Sequence, residues 1–359
     1  MAARPPPSAE VIEAAIAAFP AVGRPAPGDV KIRALAGGLI NETFEVEASG
    51  ARYVLQRVAP IFAPEIHHNI VMVTERLAAR GLVTPLLLRA DDGRPWVDLA
   101  DGGIWRLMSK IEGLTFHAAR GPAQARSAGA LVARFHAALA GLDAAFQAQR
   151  AGVHDTAAHL KTLEEALVSH KKHRLYDAVA ELAARIVSGI EALPPLAELR
   201  AWVTHGDLKI SNLLFSPGCS DEAICLVDLD TVGRMPLWQE LGDAWRSWCN
   251  PAGEDVRAAF FDEALFAASW AGYVGAQGVV LTAEERLSLV DAPTRIALEL
   301  AARFAADALR ERYFGWDRGR FAAAGEHNLL RAYGQASLAE AATLGRGRRA
   351  ALLLGEPAR

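Results

Sequence analysis

A chain of 359 residues is long for one compact domain and sufficient for two lobes around a cleft. Its net charge of −4, with 22% charged residues, argues against a general nucleic-acid or anionic-membrane binder and fits an ordinary soluble composition. Three cysteines, Cys219, Cys225 and Cys249, form neither a metal-ligand spacing nor an even disulfide set, which predicts reduced thiols in a cytoplasmic protein.

In chain order, the Pro-rich start through Ser8 lacks the apolar stretch of a secretory signal, and no later run approaches the length of a membrane span. Ser8 reads as the cap of a helix over 9–19, ended by Pro20 and Gly23. Strands are predicted at 30–35, 43–47 and 51–58, then a helix over 64–80 closed by Gly81. Three more strands, at 86–88, 95–99 and 104–110, are joined at Asp91-Asp92-Gly93 and Asp101-Gly102-Gly103. From Gly121 onward helical spacing dominates. The segment 125–139 is amphipathic, with His136 on its apolar face as a buried, hydrogen-bonded structural histidine. Asp155 or Thr156 caps the next helix, whose scattered Lys and His over 159–173 read as a solvated face. A loop at 251–255 precedes further helices, including an amphipathic one over 293–307, and the basic tail 346–359 reads as frayed.

The chemistry concentrates in His205-Gly206-Asp207-Leu208-Lys209-Ile210-Ser211-Asn212 and, sixteen residues later, Asp228-Leu229-Asp230. The apolar run 201–204 delivers His205 to a turn at Gly206, and strands at 213–215 and 223–227 return the chain to Asp228. Two carboxylates and an amide thus converge at strand ends. Phosphoryl transfer needs that grouping: one carboxylate takes the proton of an attacking hydroxyl, while an amide and a second carboxylate hold Mg²⁺ against nucleotide phosphates. The order His-x-Asp, four residues, Asn, then a strand and Asp matches the spacing of the protein-kinase catalytic loop. Two Asx turns flanking a hairpin are the bland alternative, weakened by the apolar strand on each side and by the pair Asp228 and Asp230.

The segment resembles the catalytic loop of the aminoglycoside phosphotransferase and choline kinase superfamily, small-molecule kinases with a protein-kinase-like fold. Within it, the likeness is greatest to the N-acetylhexosamine 1-kinases. The narrower match is carried by Gly37-Gly38-Leu39-Ile40-Asn41-Glu42-Thr43-Phe44, Tyr53-Val54-Leu55-Gln56-Arg57, Asn69-Ile70 and His205 to Lys209. Val227 to Val232, Leu241-Gly242-Asp243, Arg303 to Phe314 and His327-Asn328-Leu329 extend it over about residues 30–345. The resemblance implies a two-lobe α/β (α+β) fold: a small β-rich nucleotide-binding lobe over 1–111 and a larger, mainly helical catalytic and substrate-binding lobe over 112–359.

It also implies roles. Gly37 and Gly38, followed by Asn41, form a flap approaching the nucleotide phosphates, although the chain lacks a full Gly-x-Gly-x-x-Gly. The third strand has no Lys where protein kinases carry one. Gln56 has its register and Arg57 its charge; adjacent strand residues face opposite sides, and Arg57 is the favoured of the two. The Glu that usually pairs with that Lys is replaced by Asn69 or Ile70. Met108 to Ile111 form the connector that binds the adenine edge, and Gly242-Asp243 carries the Asp that braces the catalytic loop from below. His154 helps to wall the acceptor pocket. Asp207, Asp230, Arg303, Asp307 and Tyr313 contact the acceptor, with Arg303 and Asp307 offering polar forks to a neutral sugar, or else forming a simple i,i+4 ion pair.

The expected function is ATP- and Mg²⁺-dependent phosphorylation of a small-molecule hydroxyl, foremost the anomeric hydroxyl of an N-acetylhexosamine. Asp207 is the base, Asn212 and Asp228 hold Mg²⁺, Lys209 or Arg57 supplies charge to the phosphates, and His205 buttresses the loop. Aminoglycoside, choline, ethanolamine and homoserine kinases are alternatives. From another class, a pseudokinase-like binding protein is favoured by the missing strand Lys and disfavoured by intact Asp207, Asn212 and Asp228.

Overall fold

The computed structural model describes residues 6–23, 30–35, 41–100, 103–149, 152–276 and 278–355; Gly37 and Gly38 lie outside the described residues. The chain forms two lobes. The first contains α1 (Ala9–Ala17), β1 (Lys31–Ala34), β2 (Glu42–Ala48), β3 (Ala51–Val58), α2 (Ile66–Ala79), β4 (Val97–Leu99) and β5 (Gly103–Ser109). Its strands make an antiparallel sheet of order β1-β2-β3-β5-β4, with Gln56 opposite Arg106 and Val54 opposite Met108. Alternation splits the sheet into two faces. Leu55, Trp105 and Leu107 pack with Ile12, Ile16 and Phe19 around α1, whereas Val58 joins Ile66 and Ile70 of α2 in the larger core. Ser8 caps α1 by accepting from the Val11 N–H at 3.4 Å. The segment predicted as a strand at 86–88 is only a bridge, Leu87 to Met108, on the edge of β5.

The second lobe runs through α3 (Pro122–Leu139), α4 (Thr156–Ser169), α5 (Tyr176–Glu191), β6 (Ala201–Thr204), β7 (Leu213–Ser216), β8 (Cys219–Leu226) and β9 (Gly233–Pro236). It continues as α6 (Leu237–Trp248), α7 (Glu263–Gly275), α8 (Ala283–Val290), α9 (Ala292–Arg310), α10 (Ala324–Leu344) and α11 (Arg346–Leu354). Two small sheets, β6 with β9 and β7 with β8, sit among the helices. Helices α3 and α7 cross at backbone contact: a Cβ on Gly129 would lie 2.0 Å from the Ser269 carbonyl, and one on Gly272 1.9 Å from that of Arg126. That crossing buries Phe135, Phe266, Trp270 and Tyr273, with Phe135 against His205. Helix α9 is buried along most of its length between α4, α5, α6 and α10.

The basic tail is ordered as far as Gly355, contrary to the frayed end expected. Arg349 is fully buried, donating to Glu263 at 3.1 Å and to the Val290 carbonyl at 3.3 Å, and Arg346 forks onto Asp291. Charge count alone marks such a segment as solvated; carboxylates on α7 and before α9 reverse that. No helix of the described residues is long and apolar enough to cross a membrane.

Candidate active site

The loop 205–212 leaves β6 at Thr204 and turns at Gly206, whose φ of +84° and a Cβ position 2.5 Å from the Thr231 carbonyl exclude any other residue without rearrangement. Its backbone is held from several sides. Glu240, fully buried on α6, accepts the His205 N–H at 2.8 Å and the Gly206 N–H at 2.9 Å. Burial by itself would raise the Glu240 pKa, but hydrogen bonding and charge from His136, with the Gly206 N–H, hold it below the ordinary carboxylate value. His136 is buried and bridges Tyr273 and Glu240. Thr231 donates to the His205 carbonyl at 2.9 Å, and the Trp248 indole donates to the Leu208 carbonyl at 2.7 Å. Glu240 therefore performs the brace expected of Asp243. One turn further along α6, Asp243 instead pairs with Arg246 at 2.8 Å. A three-residue step rotates a helix side chain by less than one turn, so the sequence pattern could not separate the two.

His205 is a buttress. Its Nε2 bonds the Val227 carbonyl at 2.9 Å and its Nδ1 accepts the Asp207 N–H at 3.3 Å, which ties the loop to the end of β8. Asp207 presents its carboxylate beside Lys209 and Asn212: Lys209 Nζ donates to Oδ2 at 2.6 Å and Asn212 Nδ2 at 3.1 Å. Both bonds fall on Oδ2, leaving Oδ1 for a hydroxyl. Burial works against the Lys209 charge, but Asp207 and Asp228 outweigh it and keep the ammonium pKa above its ordinary value.

Asn212 directs Nδ2 at Asp207, so its Oδ1 is the atom available to a cation. Asp228 follows β8 in the left-handed region, φ 65° and ψ 56°, a conformation costing about 1–2 kcal/mol for a residue with a side chain. Its carboxylate accepts no hydrogen bond from the described residues. Burial, with Asp230 beside it, pushes its pKa up to about 6 against the opposing pull of Lys209. Of three neighbouring carboxylates, Lys209 compensates Asp207 and Arg106 compensates Asp230, so Asp228 has the unmet demand for positive charge. The described residues contain no group of three or more His, Cys, Asp or Glu that could cage a metal. One carboxylate plus one amide oxygen suits Mg²⁺, which commonly takes one or two carboxylates together with phosphate oxygens.

Above the loop, the cleft face of the sheet carries Gln56, Arg106 and Met108. Gln56 Oε1 accepts from Arg106 Nε at 2.9 Å and Nη2 at 2.6 Å, and Arg106 Nη1 pairs with Asp230. Arg57, favoured over Gln56 from its charge, points to the opposite face, where it pairs with Glu42 at 3.2 Å and lies over Trp105. Strand alternation forces that outcome once Gln56 takes the cleft side. Asn41 does not extend toward phosphates: Nδ2 donates to Asp230 at 2.7 Å and Oδ1 accepts the Ala59 N–H at 2.9 Å. Asp230 is thereby corrected as an acceptor contact, because both oxygens are taken and its side chain is 2% exposed.

Neither Asn69 nor Ile70 faces the sheet partner expected of them. Asn69 exchanges two hydrogen bonds with the Gln147 backbone, at 2.7 and 2.8 Å, and Ile70 is in the core. The α2 side chain that senses the sheet is His67. Burial first, and the Arg106 charge second, push its pKa down to about 4. Sequence reasoning missed Arg106, Glu240 and His67. Arg106 had a usable signal, a lone charge between Trp105 and Leu107 in an apolar strand; the other two had none.

The expected sugar fork is not formed. Asp307 turns away from Arg303 and accepts the backbone N–H groups of Arg312, Tyr313 and Phe314 at 2.8–3.0 Å, plus Asn328 Nδ2 at 2.9 Å. Arg303 lies over Phe314 rather than Tyr313, which is half exposed. His154 donates to the buried Glu299 at 2.9 Å, beside Thr156 at 2.8 Å, on the wall of a cavity of about 500 Å³ next to β9. Asp155 is the cap of α4, bonding the Ala158 N–H.

A five-stranded lobe above a braced His-Gly-Asp loop, with Asn212 and Asp228 beside Asp207, is the cleft of a kinase-like phosphotransferase. A family profile agrees: the phosphotransferase enzyme family (APH) matches residues 31–275, more than half of the chain, and the protein belongs to that family. Solved structures share the fold. An amicoumacin kinase in complex with AMP-PNP, Ca²⁺ and Ami superposes with a TM-score of 0.62 and 15% identity over 91% of this chain and 92% of that one. A microcompartment-associated aminopropanol kinase gives 0.59 and 17% over 95% and 99%. A choline/ethanolamine kinase family protein from Mesorhizobium loti gives 0.57 and 18% over 96% and 99%.

Proposed function

We propose that the protein transfers the γ-phosphoryl group of ATP to a hydroxyl of a small molecule. The observation that carries this reading is Asp207, with Oδ2 held by Lys209 and Asn212 and Oδ1 left for a hydroxyl, beside the uncompensated Asp228. ATP with Mg²⁺ supplies the phosphoryl group and part of the charge neutralisation; Asn212 Oδ1 and Asp228 would hold the metal. Asp207 orients the acceptor hydroxyl and takes its proton, and Lys209 holds Asp207 Oδ2 while adding positive charge at the phosphate side. Met108 and the connector to Ile111 would meet the adenine edge, and Gln56 lies deeper on the same sheet face.

For the acceptor we propose an N-acetylhexosamine phosphorylated at its anomeric hydroxyl. The sequence resemblance supports this, as does the cavity next to β9, lined by Gln149, His154, Thr156, Arg234, Trp238 and Gln239. The lining carboxylate, Asp155, is engaged as the α4 cap; the amide, hydroxyl and guanidinium groups that remain around an indole suit a neutral polyol better than a polycation. Arg303 and Tyr313 remain proposed acceptor contacts; Asp307 does not. The names of the structural relatives favour a second reading, an amino alcohol or aminoglycoside acceptor. A panel of N-acetylglucosamine, N-acetylgalactosamine, 1-amino-2-propanol, choline and kanamycin, read by ADP release and phosphorus NMR of the product, decides between them. Turnover confined to the amines removes the sugar reading and leaves the kinase reading standing. No turnover on any compound, with no Mg²⁺-dependent ATP binding, removes both.

A further inference from the structure

Asp228 is held in a left-handed backbone conformation although its own carboxylate accepts no hydrogen bond from the described residues. Its geometry is therefore imposed from the residues on either side. On the upstream side, His205 Nε2 bonds the Val227 carbonyl at 2.9 Å, and the Val227 N–H donates to the Asn212 carbonyl at 2.9 Å. On the downstream side the chain makes one 3₁₀ turn, Leu229–Thr231, with Asp230 at its centre. Asp230 is gripped from the other lobe. Arg106 on β5 takes Oδ1 and Asn41 takes Oδ2 at 2.7 Å. Those two are fixed in turn, Arg106 by Gln56 Oε1 at 2.6 and 2.9 Å and Asn41 by the Ala59 N–H at 2.9 Å.

We propose that Arg106, assisted by Asn41, is a positioning residue for metal binding: through Asp230 it sets the turn that presents the Asp228 carboxylate to the divalent cation of the nucleotide complex. The inference rests on the phosphotransferase reading of the same cleft. A direct phosphate contact by Arg106 fits less well. All three of its guanidinium nitrogens already donate, and its side chain is 2% exposed. Asp230 cannot serve as a further metal ligand while both its oxygens are engaged. The pair also joins the sheet lobe to the turn that carries Asp228, so lobe placement and metal-ligand placement are set by one buried contact.

Mn²⁺ titrations followed by electron paramagnetic resonance, in the presence of saturating AMP-PNP, separate these roles. For Arg106→Gln we expect Mn²⁺ affinity to fall by roughly tenfold or more, the scale of a left-handed residue released to its ordinary backbone conformation. Affinity for adenosine, and for AMP-PNP without metal, should stay within about threefold, since neither depends on Asp228. Wild-type Mn²⁺ affinity in the variant overturns the proposal. So does an equal loss of AMP-PNP affinity with and without metal, which would make Arg106 a phosphate ligand. Arg106→Gln leaves Asp230 as a buried unpaired carboxylate and can fail to fold. Arg106→Gln/Asp230→Asn removes both charges, is expected to weaken Mn²⁺ binding likewise, and overturns the proposal if it binds Mn²⁺ as the wild type does. A wild-type protein that binds no AMP-PNP removes the nucleotide reading itself, and the positioning role with it.

Discussion

Glu240→Gln tests the brace beneath the catalytic loop with little change of shape. In the wild type, one buried carboxylate accepts two backbone N–H groups, His205 at 2.8 Å and Gly206 at 2.9 Å. An amide has one acceptor oxygen, so one of the two N–H groups must face an NH₂. That leaves a buried unpaired donor, at about 1–3 kcal/mol, and turns the surviving charge-assisted bond into a neutral one worth roughly 1 kcal/mol less. The sum is about 3 kcal/mol, or a melting temperature lower by roughly 5 °C in a chain of this size. Because the two N–H groups precede Asp207 directly, its carboxylate should shift by a fraction of an ångström and turnover should fall by about 10–100-fold. Asp243→Asn weakens a buried pair with Arg246, which keeps Glu254, and should lower stability while reducing turnover less than Glu240→Gln does. Thermal melts and steady-state turnover of both variants are the assay. Equal melting temperatures for wild type and Glu240→Gln, or a larger loss of turnover in Asp243→Asn, would refute the assignment of the brace.

Asp207→Asn should keep ATP affinity and lower turnover by about 10²–10⁴-fold, as for a lost general base; a variant retaining more than a tenth of wild-type turnover excludes that role. Asp228→Ala should abolish the Mg²⁺-dependent part of ATP binding in calorimetry, and identical affinities with and without Mg²⁺ in both proteins would remove it as a metal ligand. His67 supplies a pH signature. Burial, then the Arg106 charge, holds its folded pKa at about 4 against 6.5 when unfolded. The unfolded chain takes the proton first, so stability should fall as pH drops from 6.5 toward 4, by about 3 kcal/mol in total. His67→Asn should flatten that part of the stability curve, and superimposable curves for the two proteins would contradict the assignment.

Much of the fold was legible in the sequence because it was written locally. The alternation in 43–47 and 51–58, the apolar spacing of 125–139, the Ser8 cap and the His-Gly-Asp spacing depend on neighbours within a few residues, and each element formed within a few residues of its expected bounds. The grouping of Asp207, Asn212 and Asp228 was readable for the same reason, since short strands on either side leave the loop few places to go. Pairings across long stretches of chain were not readable. Tertiary structure alone chose Glu240 over Asp243, sent Arg57 to the outer face, and spent Asp307 on the backbone of 312–314. It also brought Arg106 to Asp230 across 124 residues of chain. The physical reason is common to all four: a charged side chain announces that it needs a partner, but only the packed chain determines which opposite charge or backbone group lies within about 3 Å.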